Sequence, residues 1–319
     1  MIGIRNIVNF VRKACKFGLY IPLSNLIVVY GGKYLADRLL RKISNKRNRK
    51  IQKRIIEILG EKEINNIPSN VISQGSKQGK IWFCWMQGEK HLPEIPRLCL
   101  DSLRKHANGH EVIVLDSDNY NQYVSISAHV IQLYESKKLK QAHFADILRV
   151  NLLAQQGGLW IDATLFVTKD LPEDIFNMPF FSIKTPEIGY YVSRCRWAVF
   201  CLAGQKNNIL CQKVATFFNI YLSHTDLFVD YFMFDQFIDI LYSHNPEISK
   251  MIDNIPINNI HTHDLSPILI QPFDQLKFLE LTRDTYLFKL SWKLYSKEEL
   301  MGNKDSYYYF LSRLDKLVS

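Results

Sequence analysis

Asp146, Arg149 and Asp162 are the residues whose types and spacing point most directly to chemistry. The two acids can accept hydrogen bonds from sugar hydroxyls, and the guanidinium can neutralise a departing phosphate. Near the C-terminus, the segment Tyr286-Leu287-Phe288-Lys289-Leu290-Ser291-Trp292-Lys293 adds cations and an aromatic face, which suit a diphosphate and a nucleobase. Asp235 sits in the apolar run Tyr231-Phe232-Met233-Phe234-Asp235-Gln236, where a carboxylate costs desolvation unless it is paired or used. It is a candidate for orienting an acceptor hydroxyl. Each signal has a plainer reading: a structural ion pair for Asp146 and Arg149, a solvated tail for the lysines, a solvent-facing or capping acid for Asp235.

The elements around these residues give them a common direction. His143–Gln156 reads as a helix that puts Asp146 and Arg149, three apart, on one face. Gly157-Gly158 offers the positive φ that a helix stop needs. A strand is expected over 159–165, with Asp162 at the carboxyl end of its apolar run Leu159–Ile161, the end where open α/β sheets bind ligands. Upstream, Lys80–Trp85 and Glu111–Asp116 read as strands around a Pro93–His106 helix, a βαβ unit with parallel pairing. A helix near Ala128–Lys138 precedes the central one. Short apolar runs at Pro179–Lys184 and Ala198–Gly204 alternate with helical patterns at Asn207–His224 and Phe228–Ser243. The fold class is therefore α/β. Neither GxxxxGKS/T nor GxGxxG occurs, so the sequence gives no support to a P-loop or dinucleotide site.

Composition limits the function classes. The 319 residues are 47% apolar, with 19 Phe, 16 Tyr and 5 Trp, enough for a large core. No uncharged apolar run is long enough to span a bilayer; Gly18–Tyr30 is too short and contains Pro22. Arg5, Arg12, Lys13 and Lys16 interrupt any signal-peptide core. Six cysteines without CxxC spacing read as reduced thiols of a cytosolic protein. His261-Thr262-His263-Asp264 lacks a third ligand at sensible spacing and reads as loop histidines.

The net charge of +9 is uneven: residues 1–80 hold 17 Lys/Arg against 4 Asp/Glu, and the rest hold 23 against 27. An anionic partner is expected for the N-terminus. Residues 2–17 place Ile4, Ile7, Val8, Val11, Ala14 and Cys15 on one helical face, flanked by basic residues. This pattern suits a helix lying in a bilayer interface, and equally an ordinary surface helix packed on the core. The dense basic run Arg38–Arg54 suits anionic headgroups. It lacks interleaved aromatics and any nucleic-acid-binding motif, so no nucleic-acid partner is expected. Pro68–Gly79 reads as a linker. The chain thus divides into a basic helical membrane-associating segment, 1–75, and a domain, 76–319, that carries the site.

Phe144-Ala145-Asp146 through Arg149, followed by Gly157-Gly158-Leu159-Trp160-Ile161-Asp162-Ala163-Thr164, resembles the bacterial capsular polysaccharide synthesis glycosyltransferases. These are related to the retaining GT-A enzymes that include yeast mannosyltransferases and the large clostridial glucosylating toxins. Ile81-Trp82-Phe83-Cys84-Trp85-Met86-Gln87-Gly88 is similar to the family's first strand, and Lys289-Leu290-Ser291-Trp292-Lys293 to its closing motif. The ordered blocks cover roughly residues 78–295.

The resemblance implies a GT-A, Rossmann-like fold with a mixed central sheet and a UDP-sugar donor. It implies that Trp85 stacks on uracil and that Gln87, Lys289, Trp292 and Lys293 belong to the donor site. Asp146 and Arg149 match the pair that holds the donor's sugar hydroxyls and diphosphate. Asp162 matches the first acid of a DxD motif. Thr164 stands where the second acid usually ligates a metal, so Mg²⁺ or Mn²⁺ would have only Asp162 and Thr164, and a hydroxyl is the poorer ligand.

The expectation is a retaining hexosyltransferase for galactose or glucose, peripheral on the cytoplasmic face of the cell membrane. It would use a lipid-diphosphate-linked saccharide as acceptor. Its rivals are a degenerate GT-A scaffold that binds membrane or polysaccharide and, less favoured, a nucleic-acid-binding protein.

Overall fold

The computed structural model describes residues 4–30, 35–66, 79–187 and 189–313, without the side chains of residues 4–6. Of the expected linker, all but Gly79 lies outside the described residues. Four helices come first: α1 Ile4–Phe17, α2 Tyr20–Tyr30, α3 Asp37–Leu59 and α4 Glu61–Asn65. Then follow β1 Ile81–Cys84, α5 Glu94–Lys105, β2 Val112–Leu115, α6 Ala128–Glu135, α7 Gln141–Gln156, β3 Gly158–Ile161 and β4 Leu165–Val167. The second half holds α8 Asp174–Asn177, β5 Phe180–Ser182, β6 Cys201–Gly204, α9 Ile209–His224, α10 Met233–His244 and α11 Pro246–Asp253. It ends with α12 Gln275–Arg283, β7 Leu287–Lys289, α13 Lys297–Met301 and α14 Tyr307–Leu311.

The main sheet has five strands in the order β2-β1-β3-β6-β5. β1 pairs in parallel with β2 and β3, and β6 is antiparallel to both β3 and β5, so the sheet is mixed. Alternation along the strands feeds two cores. Trp82, Trp160, Leu202 and Phe180 face the layer with α7, α9 and α10. Ile81, Phe83, Leu159, Ile161 and Ala203 face the layer with Leu100 and Leu103 of α5. α7 is buried almost all round, which its mixed apolar pattern allows because α9 packs closely on it.

The strand expected over 159–165 is two strands. After Ile161 the chain turns at Asp162–Thr164, closed by Leu165 N–H donating to the Asp162 carbonyl at 2.9 Å. β4 then leaves the main sheet and pairs antiparallel with β7, Leu165 opposite Lys289. Two short apolar runs separated only by Asp162-Ala163-Thr164 do not announce such a break, since both strands are buried. The helix expected over 228–243 starts later, at Met233; Phe228–Phe232 is a loop.

Gly157 and Gly158 both take positive φ, 71° and 96°. A Cβ on Gly158 would come within 2.3 Å of the Lys80 carbonyl, so the glycine is required by the close approach of β1 and β3 as well as by its torsion.

The basic helices are part of the same packing. Phe17, Ile21, Ile51, Ile55, Leu59 and Ile64 join the core that holds α7, α9 and α10. Lys213 of α9 pairs with Glu63 at 3.0 Å. α1 buries Phe17 but leaves Ile7, Val8 and Val11 51–53% exposed, and α2 exposes Leu23, Leu26, Val29 and Tyr30. Among the described residues no helix is long and apolar enough to cross a membrane.

Candidate active site

The site forms where α7 and β3 meet the β4–β7 pair. α7 aims Asp146 and Arg149 past the end of β3, where Asp162 begins the turn. β7 brings Lys289 alongside through its register with β4. Asp162 is held from three sides. Its Oδ1 accepts from Arg149 Nη2 and from Trp160 Nε1, both at 2.9 Å. Its Oδ2 accepts from Lys289 Nζ at 2.8 Å. Arg149 Nη1 lies 3.4 Å from Asp146 Oδ1 and donates to the Val199 carbonyl. Arg149 Nε is buried without a hydrogen-bond partner among the described residues.

Aromatic rings frame both cations. The Arg149 guanidinium lies 4.9 Å from the Trp160 centroid and 5.7 Å from that of Phe234. The Lys289 ammonium lies 4.7 Å from the Phe200 centroid, and His263 meets Phe200 edge-on at 5.9 Å. Rings that exclude water strengthen the ionic contacts inside them; the Arg149 side chain is 6% exposed and that of Lys289 23%.

The acids are held in different charge states. Burial pushes the Asp162 carboxyl up, but the charges of Lys289 and Arg149, with hydrogen bonds from Lys289 and Trp160, outweigh it and hold Asp162 below the usual carboxylate range. Burial raises Asp146 to about 7; Arg149 opposes this, while Asp162 and Asp235 add to it. Asp235 is likewise raised to about 7 by burial, against a hydrogen bond from Trp197 Nε1 at 2.9 Å. Asp162 is thus a firm anion and the other two titrate near neutrality. Acids pushed apart in this way commonly divide tasks in a site.

The remaining predicted residues gather less tightly. Trp85 and Trp292 meet edge-to-face at 5.8 Å, and Trp85 Nε1 is buried without a hydrogen-bond partner among the described residues. Lys293 lies over Trp292 at 5.0 Å, and among the described residues no ion pair joins it to Asp162 or Asp146. Gln87 is exposed and donates to Gln141 Oε1, at the start of α7, at 3.4 Å. Asp235 reaches the group through its charge and not through a direct bond.

Thr164 is buried, and its carbonyl accepts from Leu290 N–H at 2.8 Å. The donor set does not fit a hard divalent cation. Both Asp162 oxygens already hold cationic or N–H donors, Thr164 offers a hydroxyl, and the described residues contain no group of three His, Cys, Asp or Glu suited to a metal. His261 pairs with Asp264 at 2.8 Å, a local loop contact.

Several participants were not singled out from the sequence. The apolar run marks Trp160 as a buried strand residue, and its indole N–H also holds Asp162. Trp197, Phe200 and Tyr231 carried no motif. The ring of Tyr231 lies 5.4 Å from that of His143, and burial, with the charges of Asp146 and Asp162 adding to it, pushes the Tyr231 hydroxyl up.

One solved structure, titled PaToxG Glycosyltransferase, aligns at a TM-score of 0.38 and 17% identity, over 84% of this chain and 98% of that one. No curated protein matches. The sequence fits the family described as capsular polysaccharide synthesis protein over residues 33–311, which takes in every residue of the site. The chain belongs to the capsular polysaccharide synthesis protein family.

Proposed function

We propose that the chain is a glycosyltransferase of GT-A type. It moves a hexose, galactose or glucose, from a UDP-sugar to a lipid-diphosphate-linked saccharide, with retention of configuration, at the cytoplasmic face of the membrane. The observation that carries this reading is the Arg149–Asp162–Lys289 clasp at the carboxyl end of the parallel strands. Two cations fixed on one carboxylate beside a second acid, Asp146, form an environment for both halves of a sugar diphosphate.

In this reading the donor's diphosphate is drawn by the charge of Arg149 and meets the partly exposed ammonium of Lys289, and its sugar hydroxyls donate to Asp162 and Asp146. The Trp85–Trp292 corner receives the uracil. The glycosidic C–O bond to the leaving phosphate breaks as the acceptor oxygen bonds to the same face of the anomeric carbon, and the acceptor proton passes to the leaving phosphate oxygen. Negative charge develops on the diphosphate, where preorganised cations act most strongly. Asp235 orients the acceptor hydroxyl. The exposed apolar faces of α1 and α2, beside the exposed lysines and arginines of α3, support an anionic membrane as partner.

Two assays test this together. NMR of the product made from UDP-galactose or UDP-glucose should show the donor's own anomeric configuration; inverted product contradicts the reading. Turnover should persist in excess EDTA and fall about a hundredfold in Lys289→Met. Complete loss in EDTA with an unaffected Lys289→Met would overturn the role given to the lysine. A degenerate scaffold, which Thr164 in the DxD-like turn favours, would release no UDP.

A further inference from the structure

Beneath α1 and α2 lies a cavity of about 170 Å³, bounded also by α3 and the loop before α10. That is many times the roughly 10–15 Å³ one water needs. Its charge is unbalanced. Arg47 of α3 is only 5% exposed, and among the described residues it bonds to neutral groups alone: Nη1 to Asn25 Oδ1 at 2.9 Å, and Nε and Nη2 to Asn48 Oδ1 at 3.4 and 3.3 Å. Lys13 of α1 enters the same cavity and donates to the Val229 carbonyl at 3.3 Å. The one acid in the lining is Asp230, which accepts from Tyr231 N–H at 2.7 Å and Gln236 Nε2 at 3.0 Å. Burial disfavours the charge of Lys13, Asp230 favours it, and Lys140, at the start of α7, adds a further positive charge nearby. A buried guanidinium without a carboxylate is costly, and an anion that enters relieves the cost.

Position gives the cavity its meaning. On one side are the helices whose apolar faces are exposed: Ile7, Val8 and Val11 on α1, Leu23, Leu26 and Val29 on α2. On the other side Tyr231, which lines the cavity, has its ring 5.4 Å from His143, and His143 Nδ1 lies 4.0 Å from Asp146 Oδ2. The cavity therefore lies between a lipid-compatible surface and the Tyr231–His143 contact that borders Asp146. A ligand that spans this path has an apolar tail, a phosphate head and a sugar beyond it.

We infer that Arg47 and Lys13 form the subsite for the diphosphate of a polyprenyl-linked acceptor, with its chain held along α1 and α2 in the bilayer. The inference rests on the transferase reading above and assigns that reaction's acceptor to residues outside the donor clasp.

The test uses the full chain and three phosphatidylcholine vesicles: plain, doped with phosphatidylglycerol, and doped with geranylgeranyl diphosphate at matched surface charge. The protein should prefer the diphosphate vesicles over the phosphatidylglycerol vesicles by roughly tenfold, the scale of one or two charge-assisted hydrogen bonds. Arg47→Met and Lys13→Met should each abolish the preference, and Arg47→Lys should keep part of it. Equal retention on the two charged vesicles would show docking by charge alone and overturn the inference, as would an undiminished preference in both methionine variants. The wild-type comparison needs no variant, so a variant that fails to fold leaves the inference refutable. UDP release measured alongside separates the two readings. Turnover without the vesicle preference sinks only the subsite, and preference without turnover sinks only the transferase.

Discussion

Asp162 is the residue on which the clasp depends, and its partners come from distant parts of the chain. Arg149 is 13 positions away and Lys289 is 127. Helix spacing pairs Arg149 with Asp146, and the strand end aims Asp162 at the same crevice, so the first contact is partly legible. The second depends on β4 opposite β7, which no local pattern announces. Lys289→Met should lower stability at pH 7 by about 1–3 kcal/mol, because it leaves a partly buried carboxylate with one cation fewer. Asp162 is held below its ordinary range in the folded state, so the stability it contributes is present above that range and lost as pH falls through the folded value. The penalty of the variant should therefore shrink in acid; a penalty independent of pH would show that the lysine acts by packing alone.

Asp146 has the opposite sign. Its folded value, about 7, lies above its ordinary 3.8, so the unfolded chain gives up this proton first and stability falls as pH rises between the two. Asp146→Asn should gain on the wild type over that window, by on the order of 1–3 kcal/mol in thermal melts, while its turnover falls. A difference in melting that is flat from pH 4 to 8 would contradict the assigned state of Asp146.

At the scale of elements, the turn after β3 matters most. The helix–glycine–strand reading of 143–161 agrees with α7 and β3 because period, helix stop and apolar run all pointed one way. The split at Asp162–Thr164 was not legible: Leu165, Phe166 and Val167 continue the apolar pattern although they belong to another sheet. Nor did periodicity locate the start of α10, since the apolar loop Phe228–Phe232 mimics its first turn. Gly158→Ala combines a positive φ with a backbone clash against Lys80 and should cost more than about 2 kcal/mol, read by chemical denaturation. A neutral result would mean that β1 and β3 can separate without harm to the site.

Across the whole molecule, the basic excess coincides with exposed apolar residues on the first two helices. The basic bias of the first 80 residues was legible from composition; that these helices also complete the core beside α9 and α10 was not, because amphipathic helices pack on protein or lipid by the same pattern. With Ile7, Val8 and Val11 exposed, Val8→Ser with Val11→Ser should leave stability within about 0.5 kcal/mol of wild type. The same pair should weaken retention on phosphatidylglycerol vesicles by roughly tenfold or more. Wild-type retention should decline as salt is raised. Unchanged retention in the double variant would assign that face to another partner.

The central claim is that the clasp around Asp162 handles a nucleotide-sugar donor, and the most direct measurement is nucleoside diphosphate release from a panel of UDP- and GDP-sugars. The wild type should release UDP from UDP-galactose or UDP-glucose, and Asp162→Asn and Asp146→Asn should each reduce that release about a hundredfold or more while remaining folded. Full release by both variants, or none from any donor by the wild type, would contradict the account.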